Sequence, residues 1–134
     1  MASKKITLNW DPQEFFTVQD ASSHQIPVNM GRGFGSADLL TAALIGCSCY
    51  DVVEILKKQR QELSQLQASA EAVQDEDPPW KFRKIHIQYK VAGKGLDTEK
   101  VRKAILLSEE KYCSVYATLK DVVEITHDVE VIEE

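Results

Sequence analysis

The stretch from Leu39 to Leu56, which reads Leu-Leu-Thr-Ala-Ala-Leu-Ile-Gly-Cys-Ser-Cys-Tyr-Asp-Val-Val-Glu-Ile-Leu, constrains this chain more than any other part of it. Ser36 ahead of it reads as a helix N-cap, and Asp38 as a first-turn carboxylate placed where negative charge favours the helix dipole. The helix predicted from there to about Arg60 would span roughly 35 Å at 1.5 Å per residue. It is apolar on nearly every face as far as Leu56 and then turns charged at Lys57, Lys58 and Arg60. A helix of that kind must be covered on most sides, in the middle of a domain or at an interface. Asp51 and Glu54 interrupt the apolar run, so no membrane span and no membrane partner are expected from it.

The rest of the chain alternates as strands do. Ile6 and Leu8 alternate with Thr7 and Asn9, and Phe15 to Val18 is aromatic and β-branched. Asp20 to His24 reads as a turn, with Gln25 to Met30 as the returning arm; Pro27 assigns that arm to an edge or a bulge. After the helix, Gln65 to Gln74 sets Leu66, Ala68, Ala70 and Ala72 on one face, small residues under something packed close. Asp75 to Pro79 is a turn. Lys81 to Val91 is the cleanest strand, with Ile85, Ile87, Tyr89 and Val91 facing in. Gly93-Lys-Gly95 ends it, and Asp97 or Thr98 starts a second helix with Val101, Ala104, Ile105 and Ser108 on one face. Glu109 to Cys113 closes that helix, Ser114 to Lys120 forms a short further one, and Val122 to Ile132 alternates again. Strands, long helix, two strands, helix pair and strand make an α+β class and not a regular parallel α/β fold. With 134 residues, the whole chain, 1–134, is expected to be a single domain.

A net charge of -5 and a pI of about 5.2 argue against nucleic acid as a partner, because phosphate binding rests on clustered lysine and arginine. The N-terminus has no apolar signal core, so a cytoplasmic location is expected. Three cysteines, Cys47, Cys49 and Cys113, are an odd count without an export signal, which points to free thiols in a reducing compartment. Gly31-Arg-Gly-Phe-Gly35 is not a dinucleotide fingerprint: the spacing is wrong, and no strand–helix–strand unit surrounds it. Glycine there lets the backbone turn into the helix.

The cysteines can be read in two ways. Free cysteine is among the most buried residue types, and within an apolar helix it serves as a small hydrophobe. Against that, Cys47 follows Gly46 in the central helix, and Cys113 sits at a helix junction where a helix N-terminus favours a thiolate. A reactive Cys47 needs a cation, and Arg32 is the only arginine ahead of it in the chain. A metal shared by Cys47 and Cys49 is not expected, since residues two apart on a helix point roughly 200° apart. His24, His86 and His127 show no ligand-like spacing, and neither metal nor cofactor is expected.

The run Ser36-Ala-Asp-Leu-Leu-Thr-Ala-Ala-Leu-Ile-Gly-Cys47, continued by Asp51-Val-Val-Glu-Ile-Leu-Lys-Lys58, resembles the helix entry and Gly-Cys pair of the OsmC/Ohr family. Gly93-Lys-Gly-Leu-Asp97 and Leu107-Ser-Glu-Glu-Lys-Tyr-Cys-Ser-Val115 resemble its YhfA-like branch in particular. The resemblance covers about Gly35 to the end. It implies an OsmC-like fold of antiparallel sheets wrapped around two central helices, in an intertwined homodimer. It implies a thiol peroxidase for organic hydroperoxides, acting in oxidative-stress defence. Cys47 would attack the peroxide, Cys113 would close a disulfide with it, and a dithiol or lipoyl-type reductant would restore both. Arg32 is the candidate for the family's catalytic arginine. The best peroxidases of the family pair that arginine with a glutamate ten positions before the first cysteine, where this chain has Ala37; Asp38 is one position off. The competing expectation is a binding or scaffold protein on the same fold, holding a small apolar ligand or a partner. A third is a structural protein with inert thiols.

Overall fold

The computed structural model describes residues 1–13, 15–29 and 31–134, which form two compact units, Met1–Leu40 and Thr41–Glu134. In the first unit, β1 (Thr7–Asp11), β2 (Phe15–Gln19) and β3 (Gln25–Val28) make an antiparallel sheet in that order. The turn between β2 and β3 is held by the Asp20 carboxylate, which accepts N–H bonds from Ser22 and His24. Pro27 lies on the edge strand β3, where its missing N–H leaves no ladder bond unmade. Met30, the expected end of that arm, lies outside the described residues. Beyond it, Gly33 passes so close to β3 that a Cβ would stand 1.9 Å from the Pro27 carbonyl oxygen, so glycine is required there by contact.

The long helix α1 runs over Ser36–Lys58. Ser36 is its first helical residue and not its cap: the Leu39 N–H bonds the Gly35 carbonyl, and the Ser36 N–H is satisfied by the Asn29 side chain at 3.0 Å. Asp38 lies in the first turn and Lys57 and Lys58 in the last, each complementing the dipole.

In the second unit, β4 (Glu62–Gln74) and β5 (Phe82–Lys94) form an antiparallel hairpin, and β6 (Glu124–Glu133) completes a sheet of order β4-β5-β6. Between β5 and β6 come α2 (Thr98–Leu107), a π-helical turn (Ser108–Tyr112) and α3 (Ser114–Leu119). Asp97 caps α2 by accepting the Glu99 N–H at 2.9 Å. The α+β class stands, with one correction to the expected antiparallel sheets: β6 pairs with β5 in parallel. Strand periodicity carries no information about direction. The helices between the two strands supply the long crossover that a parallel pair needs.

The inward face of β5, Ile85, Ile87, Tyr89 and Val91, is buried as its alternation implied. It shares one core with Leu44, Val52 and Leu56 of α1 and with Val101, Ala104 and Ile105 of α2. On α1 the fully buried residues form one stripe, Leu44, Ser48, Val52 and Leu56, at the four-residue spacing of a single helix face. Ala43, Gly46 and Tyr50 on other faces are exposed, Tyr50 by 68%. By length and composition alone α1 could cross a membrane, but the core helix of a soluble protein meets the same measure.

Candidate thiol site

Cys47 and Asp51 are four residues apart on α1 and so share a helix face. Cys113 reaches the same place from a different element. After α2 the chain widens into the π-helical turn, closed by a 2.8 Å bond from the Cys113 N–H to the Ser108 carbonyl. That turn ends at Cys113, which is extended and caps α3, its sulfur accepting the Tyr116 N–H at 3.3 Å. Together these elements bring the Cys47 sulfur, the Cys113 sulfur and a carboxylate oxygen of Asp51 to within 4.8 Å of one another. The Asp51 carboxylate is oriented by the Ser108 hydroxyl, which donates to its Oδ2.

The thiols differ in environment. Cys113 is buried, at 2% exposure. Burial, reinforced by the Cys47 sulfur beside it, pushes the Cys113 thiol up to about 12, against the pull of the Tyr116 N–H. The helix N-terminus expected to favour a Cys113 thiolate is therefore present and outweighed. Cys49 also packs against the core, and burial pushes its thiol up to about 11. Cys47 is half-buried.

A chain of polar side chains, buried at Ser48 and Tyr89 and partly exposed at His127 and Glu109, runs out from the core. The Ser48 and Tyr89 hydroxyls are hydrogen-bonded, the Tyr89 ring meets His127 edge-on at 6.0 Å, and His127 Nδ1 stands 2.9 Å from Glu109 Oε1. The Glu109 carboxylate beside it raises the His127 pKa above its ordinary value, partly opposed by burial. On the solvent side, an open groove of about 440 Å³ has Asp51 in its wall, together with Tyr50, Glu54, Lys58, Leu107 and Tyr112.

Of the residues singled out in the sequence, Cys47 and Cys113 come together. Cys49 does not join them and belongs to the packing. Arg32 lies in the first unit, where its guanidinium stacks 4.7 Å from the centre of the Phe15 ring. Two residues of the cluster were missed. Asp51 looked like one more polar break in the helix, although its i, i+4 spacing from Cys47 was the available signal. Ser108 looked like part of an apolar face, and nothing local marks its hydroxyl as a partner for Asp51.

The profile of the OsmC-like protein family matches residues 29–128. Protein YhfA of Escherichia coli K12 is 34% identical over 128 residues, covering 93% of this chain and 96% of that protein. The crystal structure of an OsmC-like protein from Mycoplasma pneumoniae superposes with a TM-score of 0.84 at 16% identity, covering 98% of each chain. The organic hydroperoxide resistance protein OhrB of Bacillus subtilis superposes with a TM-score of 0.63 at 17% identity, covering 96% of this chain and 98% of that one. At such identities the two superpositions speak for a shared fold.

Proposed function

The chain belongs to the OsmC-like family, and on that premise we propose that it is a thiol-dependent protein that reduces organic hydroperoxides in peroxide-stress defence. The observation that carries this reading is the meeting of Cys47 and Cys113, from separate elements, next to Asp51, which lines an open groove. A relative of the same fold is named for organic hydroperoxide resistance.

In the proposed cycle the Cys47 thiolate attacks the outer peroxide oxygen. The O–O bond breaks, the alcohol leaves with a proton, and Cys47 becomes a sulfenic acid. The Cys113 thiol then attacks that sulfur, releasing water and forming the Cys47–Cys113 disulfide. A dithiol, of which a lipoyl group is one example, takes the oxidation away by exchange. Cys113 suits the second step: a buried thiol held protonated is a poor first nucleophile, and it stands next to the sulfur it must join. Arg32 is proposed as the cation that supports the Cys47 thiolate, and Cys49 has no chemical role.

We propose further that both units form one OsmC-like domain and that the working form is an intertwined homodimer. The exposed apolar faces of α1 support this, as does Gly46. Mid-helix glycine is unfavourable by about 1 kcal/mol against alanine, and among the described residues nothing beyond its chain neighbours and the helix's own backbone lies within 4 Å of where its Cβ would be. A second helix crossing closely at Gly46 would explain the residue.

A binding role without turnover is the second reading, favoured by the groove along Tyr50, Asp51 and Tyr112. Turnover of cumene hydroperoxide with a dithiol separates the two. Multiple turnovers that vanish in Cys47→Ser and Cys113→Ser support the peroxidase. A rate no faster than that of free cysteine leaves the binding role.

A further inference from the structure

We propose that Cys47, Asp51 and Cys113 form a binding site for a zinc-like divalent cation, with a fourth coordination position open to water. The three donor atoms come from two elements distant in sequence and lie within 4.8 Å of one another. Tetrahedral zinc, with sulfur at about 2.3 Å and oxygen at about 2.0 Å, holds its ligand atoms roughly 3.4 to 3.8 Å apart. Side-chain rotation of roughly 1 Å closes the difference.

The donor set selects the ion. Two thiolates favour borderline-soft metals, and one carboxylate with one open position is a common complement in zinc sites, whereas magnesium and calcium take oxygen shells. Among the described residues, the carboxylate of the cluster has no ion-pair partner of its own: no lysine, arginine or histidine nitrogen stands within 4.0 Å of the Asp51 carboxylate. Two thiols against a carboxylate repel one another once ionised, and a divalent cation is what lets all three be anionic together. Asp51 is already held on its far side by the Ser108 hydroxyl. Such outer hydrogen bonds orient ligand carboxylates in metal sites.

Binding exchanges two thiol protons for one metal ion: the two S–H bonds give way to two sulfur–metal bonds, and two protons leave to solvent. The metal-loaded and disulfide forms therefore exclude each other, because each needs both sulfurs. This holds whether or not the protein turns over hydroperoxides, so the two proposals fail separately.

The test is Co²⁺ titration of the reduced full-length protein, with Zn²⁺ affinity measured by competition against a chromophoric chelator. The expected result is one ion per chain, sulfur-to-cobalt charge-transfer absorption in the near ultraviolet, and release of two protons. Asp51→Asn should weaken Zn²⁺ binding by roughly tenfold or more, Cys47→Ser and Cys113→Ser should remove most of the charge-transfer band, and Cys49→Ser should change nothing. Protein oxidised beforehand with diamide should take up no metal. Reduced wild-type protein without the charge-transfer band overturns the proposal without reference to any variant. So does an Asp51→Asn protein of unchanged affinity, or a band lost in Cys49→Ser.

Discussion

The Ser108 hydroxyl donates a 2.8 Å hydrogen bond to Asp51 Oδ2, tying the π-helical turn before Cys113 to the helix that carries Cys47. The same residue's carbonyl accepts the Cys113 N–H at 2.8 Å. Ser108 thus fixes both the turn that delivers the second thiol and the carboxylate beside the first. A π-turn inserts an extra residue into a helix and is frequent at functional sites. Here it lets the chain leave α2 and present Cys113 inward.

Ser108 is fully buried, so its contribution can be measured. Ser108→Ala removes a hydrogen bond to a carboxylate that water can still partly reach. The expected loss is about 1.5 kcal/mol, the low end for bonds to charged groups. Urea unfolding should show a lower midpoint with an unchanged slope. An unchanged midpoint would mean that the bond contributes nothing.

The apolar excess of α1 leads to a prediction about assembly. Sedimentation at micromolar concentration should give a dimer, with an interface above roughly 2,000 Å² in total as for obligate pairs. Gly46→Leu adds a side chain where this chain leaves open space. It should therefore spare the fold of one chain and weaken the dimer. A wild-type monomer, or a Gly46→Leu protein as dimeric as wild type, would contradict this arrangement.

His127 supplies a pH dependence. Its pairing with the Glu109 carboxylate raises its folded pKa above the ordinary value. The stability it contributes is fully present below the unfolded value of about 6.5 and is lost as pH rises through the folded value. The wild-type unfolding midpoint should fall more steeply than that of His127→Gln as the pH rises above about 6.5. Equal slopes in the two proteins would remove His127 from the account.

Much of this architecture could be read from residue pattern. Ile85, Ile87, Tyr89 and Val91 alternate against Lys84, His86, Gln88 and Lys90, and the structure buries the first set. The central helix and the small residues Ala68, Ala70 and Ala72 on β4 followed from the same reasoning. The parallel pairing of β6 did not, because side-chain period is the same in either direction. The π-turn did not either: Ser108 to Tyr112 has the composition of an ordinary helix end, and the turn is set by where Cys113 and the Ser108 hydroxyl must go. The meeting of Cys47 and Cys113 was legible only through family resemblance, since no local signal joins residues so far apart in sequence. Asp51 shows the opposite case, a helix neighbour of Cys47 whose role emerged only when Cys113 arrived beside it.

The proposed function stands or falls with Cys47 and Cys113 as a reactive pair. Reduced protein, freed of metal with a chelator, should be treated with one equivalent of an organic hydroperoxide and mapped by mass spectrometry. A Cys47–Cys113 disulfide should form within one chain, with Cys49 left as a free thiol, and Cys113→Ser should instead trap a dimedone-reactive sulfenic acid at Cys47. Cys113 oxidised first, a disulfide to Cys49, or thiols no more reactive than free cysteine would contradict the proposed function.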